Sequence, residues 1–181
     1  DMFNAGVHFM TMNPLIKIIE PILFGGFILH VLYSIVLTIQ NMRARGSAVY
    51  ASGNKTSDVE WSSKNMFVLG IALGAFLVIH LIQFWIKMKF TGDPLLADTT
   101  FSYFGVQTTG HNAYALVHET FQIPWVIIAY VIGGIALAFH ISHGFWSALH
   151  TVGFSNKIWL YRLQTLSTVV AWIIGLGFCA I

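Results

Sequence analysis

The sequence predicts an all-α fold, a transmembrane helical bundle, and three observations carry that prediction. Hydrophobic residues make up 56% of the 181 residues and charged residues only 9%, with a mean hydropathy of +0.73, whereas a soluble domain carries about 25% charged residues. Four apolar stretches are each long enough to cross a hydrocarbon core of about 30 Å, which takes about 20 helical residues. These runs lack the alternation of a barrel strand, and backbone in lipid must satisfy its own hydrogen bonds, so the spans are helices.

The first span covers about residues 21–40 (PILFGGFILHVLYSIVLTIQ), with Pro21 as a first-turn proline and residues 13–20 as an interfacial extension. The second covers about residues 65–88 and holds no formal charge from Asn65 to Trp85. The third starts at Pro124, again suited to a first turn, and covers about residues 124–149. The fourth covers residues 159–181. No internal repeat links them, and residues 1–181 read as one transmembrane domain.

Charge sets the orientation. Of the nine Lys and Arg, Arg43, Arg45, Lys55 and Lys64 lie in the polar loop over residues 41–64, and Lys157 and Arg162 lie at the same end of the spans. Only Lys17, Lys87 and Lys89 fall at the other end, so the positive-inside rule makes the 41–64 loop cytoplasmic. Asp1, Glu20, Asp93, Asp98 and Glu119 then lie outside, in agreement. Trp61, Trp146 and Trp159 near the inner boundary, with Trp85 and Trp125 near the outer one, suit aromatic belts.

Several functions are excluded. A net charge of +2 without a basic block gives nucleic acid nothing to hold. The single cysteine, Cys179, forms no internal disulfide and cannot alone ligate an iron–sulfur cluster. No G-x-G-x-x-G segment opens a helix after a strand, so the chain shows no means of its own for hydride chemistry.

The histidines are the unusual resource. His30, His80, His140 and His143 fall inside spans, where an ionisable ring needs a partner and is a functional candidate by default. The alternative is a ring satisfied by a serine or backbone carbonyl of a neighbouring helix. At 1.5 Å per residue, His30 lies about 15 Å from the inner end of its helix. His140, ten residues before His150 on a helix of the same direction, lies level with it. Two neutral imidazoles at one depth can clamp a tetrapyrrole as a six-coordinate haem suited to electron transfer. His143, one turn nearer the cytoplasm on nearly the same face, competes with His140, and depth favours His140. His80 lies about 23 Å from the inner boundary, without a partner at its level. His8, His111, His118 and His150 read as lying outside the spans, so a second haem would need a ligand from another helix. Gly26, Gly133 and Gly144 share their histidines' faces, where missing side chains leave room for a macrocycle or simply let helices pack closely.

The runs FHISHGFWSALHTVGF, LHVLYSIVLTIQNMRARG, VEWSSKNMFVLG and HLIQFW resemble the haem b membrane-anchor subunit of succinate dehydrogenase and fumarate reductase. The variety is the single-chain, five-helix, two-haem type found in bacteria such as the Bacteroidetes. The resemblance covers essentially the whole chain and implies that a first helix, with its own haem histidine, precedes Asp1. It implies that His30 in LHVLYS and His140 in FHISHG are the axial iron ligands of the haem b nearer the cytoplasm. His80 in IHLIQFW would be one ligand of the outer haem b. It further implies menaquinone as electron partner, a flavoprotein with FAD, and an iron–sulfur protein docked at the cytoplasmic face of the bacterial inner membrane. The family's quinone site often involves a carboxylate near the outer haem. Glu20 is the nearest candidate, although an acid at a helix start is also favoured by the macrodipole. Competing readings are the haem b anchor of another quinone-linked oxidoreductase and a histidine-based proton-coupled transporter, which often shows repeats and broken helices.

Overall fold

The structure is a computed structural model that describes residues 2–45, 60–154 and 156–180. Most of the 41–64 loop, with Lys55, lies outside the described residues, as do Asp1 and the last residue of the fourth span, Ile181. The fold class is all-α, and four helices are long and apolar enough to cross a membrane. Contacts divide the chain into two compact units, residues 1–56 with 93–116 and residues 57–92 with 117–181.

The first unit contains α1 (Met2–Met12), α2 (Pro14–Arg45) and a β-hairpin of β1 (Asp98–Tyr103) and β2 (Val106–His111), and it ends in the start of α5 (Ala113–Phe121). The side chain of Asn13 accepts a hydrogen bond from Leu15 N–H at 2.9 Å, which starts α2 at Pro14 rather than at Pro21. Residues 13–20 are therefore part of the long helix, and Pro21 lies in its interior. A proline there removes one intrahelical hydrogen bond, a loss tolerated in membrane helices. The hairpin is antiparallel, pairing Phe101 with Thr108 and Tyr103 with Val106. Its turn residues Phe104 and Gly105 both have positive φ, 49° and 82°, the pattern of a two-residue type I′ turn. Helix α1 packs on the hairpin, with His8 edge-on to Phe101 and Tyr103. Asn4 accepts from Tyr114 N–H at 2.9 Å and donates to the Asn112 side chain at 3.2 Å, tying α1 to the start of α5.

The second unit contains α3 (Trp61–Lys64), α4 (Met66–His80), α6 (Pro124–Thr151) and α7 (Lys157–Cys179), with the end of α5. Pro124 takes the first turn of α6 as predicted. Asn156 caps α7, its side chain accepting from Ile158 and Trp159 N–H at 3.0 and 2.9 Å. Beyond His80 the second span continues as π-helical turns, Leu81–Trp85 and Lys87–Thr91.

The closest packing is between α6 and α7, where small residues let backbones approach. A Cβ on Gly175 would stand 2.7 Å from Ala138 Cβ and 2.8 Å from the Gly134 carbonyl oxygen. Two turns on, the Ser167 hydroxyl lies 2.7 Å from the Ser142 carbonyl and 2.9 Å from that of Ile141. Gly134, Ala138 and Ser142 thus face Gly175, Ala171 and Ser167 in antiparallel order, all six buried.

Candidate functional site

His80 ends α4 at the point where the backbone widens into π turns, a feature that recurs at functional sites. Its Nδ1 lies 3.3 Å from the hydroxyl oxygen of Tyr130 on α6. Tyr130 is the hub of a ring cluster: Phe121, Phe76 and Phe84 stand edge-on to it with centroids at 4.8, 5.0 and 6.1 Å. His80 itself lies between Phe76 and Phe84, at 6.2 and 5.6 Å. Phe76, His80 and Phe84 recur every four residues, and this stripe of α4 and its π extension is what faces Tyr130. Gly133 lies one turn from Tyr130 and receives the Phe76 ring, which would meet an added Cβ at 2.5 Å. The space at Gly133 therefore belongs to a packed phenylalanine, against the expectation that it leaves room for a macrocycle.

His140 lies seven residues beyond Gly133 and four before Gly144, hence on the same side of α6. A Cβ added on Gly144 would stand 3.7 Å from the end of the Met66 side chain at the start of α4, an ordinary contact distance. The antiparallel order that sets Met66 against Gly144 and His80 against Tyr130 brings Gly70 level with His140. A Cβ on Gly70 would meet nothing within 4 Å. The His140 ring is partly buried, and its Nδ1 is sealed from solvent. The levels of His80 and His140 differ by ten residues of α6, about 15 Å.

His143, the competitor, is committed elsewhere. Its Nδ1 lies 3.2 Å from a carboxylate oxygen of Glu60, and its ring packs edge-on against Trp146 at 5.0 Å. Beside it, Trp61 of α3 packs against Phe139, which packs against Trp172 of α7. His143 thus pairs with the acid that precedes α3, eight residues before the end of α6, while His140 lies one turn further from that end.

His30 belongs to the other unit and lies on an exposed face of α2. An added Cβ on Gly26, one turn before it, would meet nothing within 4 Å. Glu20 is half-buried in the interior of α2 rather than at a helix start. The macrodipole explanation of Glu20 fails on that account, because the effect fades beyond the first turn. His150 sits in the last turn of α6, not beyond it.

Three participants escape a reading of the sequence: Tyr130, Glu60 and Gln83. The side-chain oxygen of Gln83, in the π segment, is buried without a hydrogen-bond partner among the described residues. A tyrosine and a glutamine within apolar spans carry a signal of their own, because a buried phenol or amide needs a partner. Among the described residues no three His, Cys, Asp or Glu side chains converge, an arrangement that axial ligation by two imidazoles does not require. Comparison of the chain with family models, curated proteins and solved structures yields no match.

Proposed function

We propose that this chain is the cytochrome b membrane anchor of a succinate:quinone oxidoreductase, holding two haems b in a bacterial cytoplasmic membrane. The observation that carries the reading is the placement of His80 and His140 within two adjacent apolar helices, at levels about 15 Å apart, with His143 already occupied by Glu60. The donor set suits the group, since neutral imidazoles from separate helices make six-coordinate haem sites. Tyr130 at Nδ1 of His80 leaves Nε2 for iron, and the open positions at Gly70 and Gly26 supply the space that Gly133 does not.

In this reading His80 holds the outer haem together with a histidine from a further helix. His30 and His140, matched in depth along their sequences, hold the inner one. Haem b bound there carries single electrons between a soluble flavin and iron–sulfur partner and a membrane quinone. The chain's own residues hold the imidazoles in one orientation, exclude water with aromatic side chains, and separate the two levels. Glu60, paired with His143, ties α6 to the segment before α3, on the side where a soluble partner would dock. The resemblance of the runs FHISHG and IHLIQFW to haem b anchors of succinate dehydrogenase supports this choice among quinone-linked oxidoreductases.

The test is a dithionite-reduced spectrum with pyridine-haemochrome quantification of the protein purified from its native membrane. Two haems b per chain are expected, reducible by succinate in the intact complex. His30→Ala and His140→Ala should each remove the same haem, and His80→Ala the other. A haem-free protein overturns the reading; haem reduced by formate but not by succinate moves the chain to a different oxidoreductase.

A further inference from the structure

A histidine that ligates iron through Nε2 must carry its remaining proton on Nδ1, and the group that accepts that proton fixes the ring's orientation and basicity. We propose that Tyr130 is this positioning residue for His80, its phenol oxygen accepting Nδ1–H and so presenting Nε2 to iron. The proposal rests on the haem reading above and deepens it.

The contact is 3.3 Å long and has two possible senses. If Tyr130 donated to Nδ1, the ring proton would sit on Nε2 and the imidazole could not bind iron there without losing it. With iron on Nε2 the sense is forced, and the phenol accepts. Nothing about the phenol's place is loose: Tyr130 is only 7% exposed and is held by Phe76, Phe84 and Phe121. Gly133 adds to this by admitting the Phe76 ring. The π turns begin directly after His80 and bring Phe84 under the same phenol. Five residues from α4, its π extension, α5 and α6 thus serve to place one oxygen beside one nitrogen.

The experiment uses membranes holding the intact complex, with haem quantification and potentiometric titration of both haems. His80→Ala tests the underlying reading and should remove one haem of the two. Tyr130→Phe keeps the ring cluster and both haems but removes the acceptor. The midpoint of the haem that His80 ligates should then rise, by 59 mV for each tenfold loss of preference for ferric iron. The midpoint of the other haem should stay where it is. Transfer of the affected haem to apomyoglobin should be about tenfold faster. Phe84→Leu loosens the same packing while keeping the oxygen, and should shift the midpoint less than Tyr130→Phe does. Unchanged midpoints in Tyr130→Phe, with His80→Ala still losing a haem, overturn the role of Tyr130 and leave the haem reading standing. An equal shift in Phe84→Leu also overturns it, by assigning the effect to packing. Two haems retained in His80→Ala overturn the haem reading itself.

Discussion

Toward α7, helix α6 presents Gly134, Ala138 and Ser142 at four-residue spacing; toward α4 it presents Tyr130, Gly133, His140 and Gly144. The first face is built for contact alone. Its small side chains bring two backbones together until a single added methyl has nowhere to go, and its hydroxyls end on carbonyls of the opposite helix. The second face carries the Tyr130 phenol and the His140 imidazole. Along it Gly133 is filled by the Phe76 ring, while Gly70 of α4, at the level of His140, is open. Close packing excludes a ligand as surely as it excludes water, so one side of α6 fixes the scaffold and the other is free to hold something between helices.

The largest effect should come from breaking the scaffold side. Gly175→Leu drives a branched side chain into Ala138 and the Gly134 carbonyl, both under 3 Å from its first carbon. A loss of about 3 kcal/mol or more follows from overpacking against backbone that cannot move aside. In detergent the variant should melt well below the parent and, if the proposed haems are present, lose both together, because the helix that carries His140 and Tyr130 is displaced as a whole. A variant that kept its melting temperature would show that the seam is not what holds the second unit.

On the other face, His140→Ala and His143→Ala should separate cleanly although the residues are one turn apart. On the proposed haem reading the first should remove one haem and leave the fold. The second should leave both haems and free the carboxylate of Glu60, which is half exposed and returns to solvent at little cost. Haem quantification and a reduced spectrum check both; loss of haem in His143→Ala alone would exchange the two roles.

Gly133→Ala divides the faces further. Its added carbon meets the Phe76 ring, the movable end of a side chain rather than backbone, so the expected loss is about 1–2 kcal/mol. The displaced ring belongs to the cluster around Tyr130 and His80. On the proposed haem reading, the spectrum of a haem held by His80 should therefore change, and that of a haem held by His140 should not. Sequence position alone suggests the reverse, because Gly133 shares a helix face with His140.

What the sequence made legible follows from what is one-dimensional. Apolar runs located the four long helices, and Pro124 located the start of α6; counting residues from the span ends set His80 about 8 Å from the level of His140, where the packing of α4 on α6 separates them by about 15 Å. The start of α2 was hidden because Asn13 and Pro14 begin the helix in a stretch whose apolar core begins later, and Pro21 gives a second, misleading signal. The hairpin was hidden because its turn is Phe-Gly rather than the usual Asn-Gly, and its threonine-rich strands lie in a polar stretch between spans. Tyr130 and Glu60 were out of reach for a different reason. Their partners are set by the rotation of one helix against another and by where a connecting segment returns, and neither is written in the spacing along a single helix.

The smallest expected effect lies in the seam and tests whether its hydroxyls matter beyond fit. Ser167 is fully buried, with its oxygen against two carbonyls of α6. Ser167→Ala keeps the small size that the close approach needs and removes only the hydrogen bond. Such bonds between membrane helices contribute about 0.6 kcal/mol on average, and the abandoned carbonyls retain the amides of their own helix. A melting temperature lower by a degree or two, with both haems in place, is the expected result. A loss as large as that of Gly175→Leu would mean that α6 and α7 are held by this polar contact and that the glycines only permit it. The comparison between the two faces of α6 would then rest on hydrogen bonding on both sides.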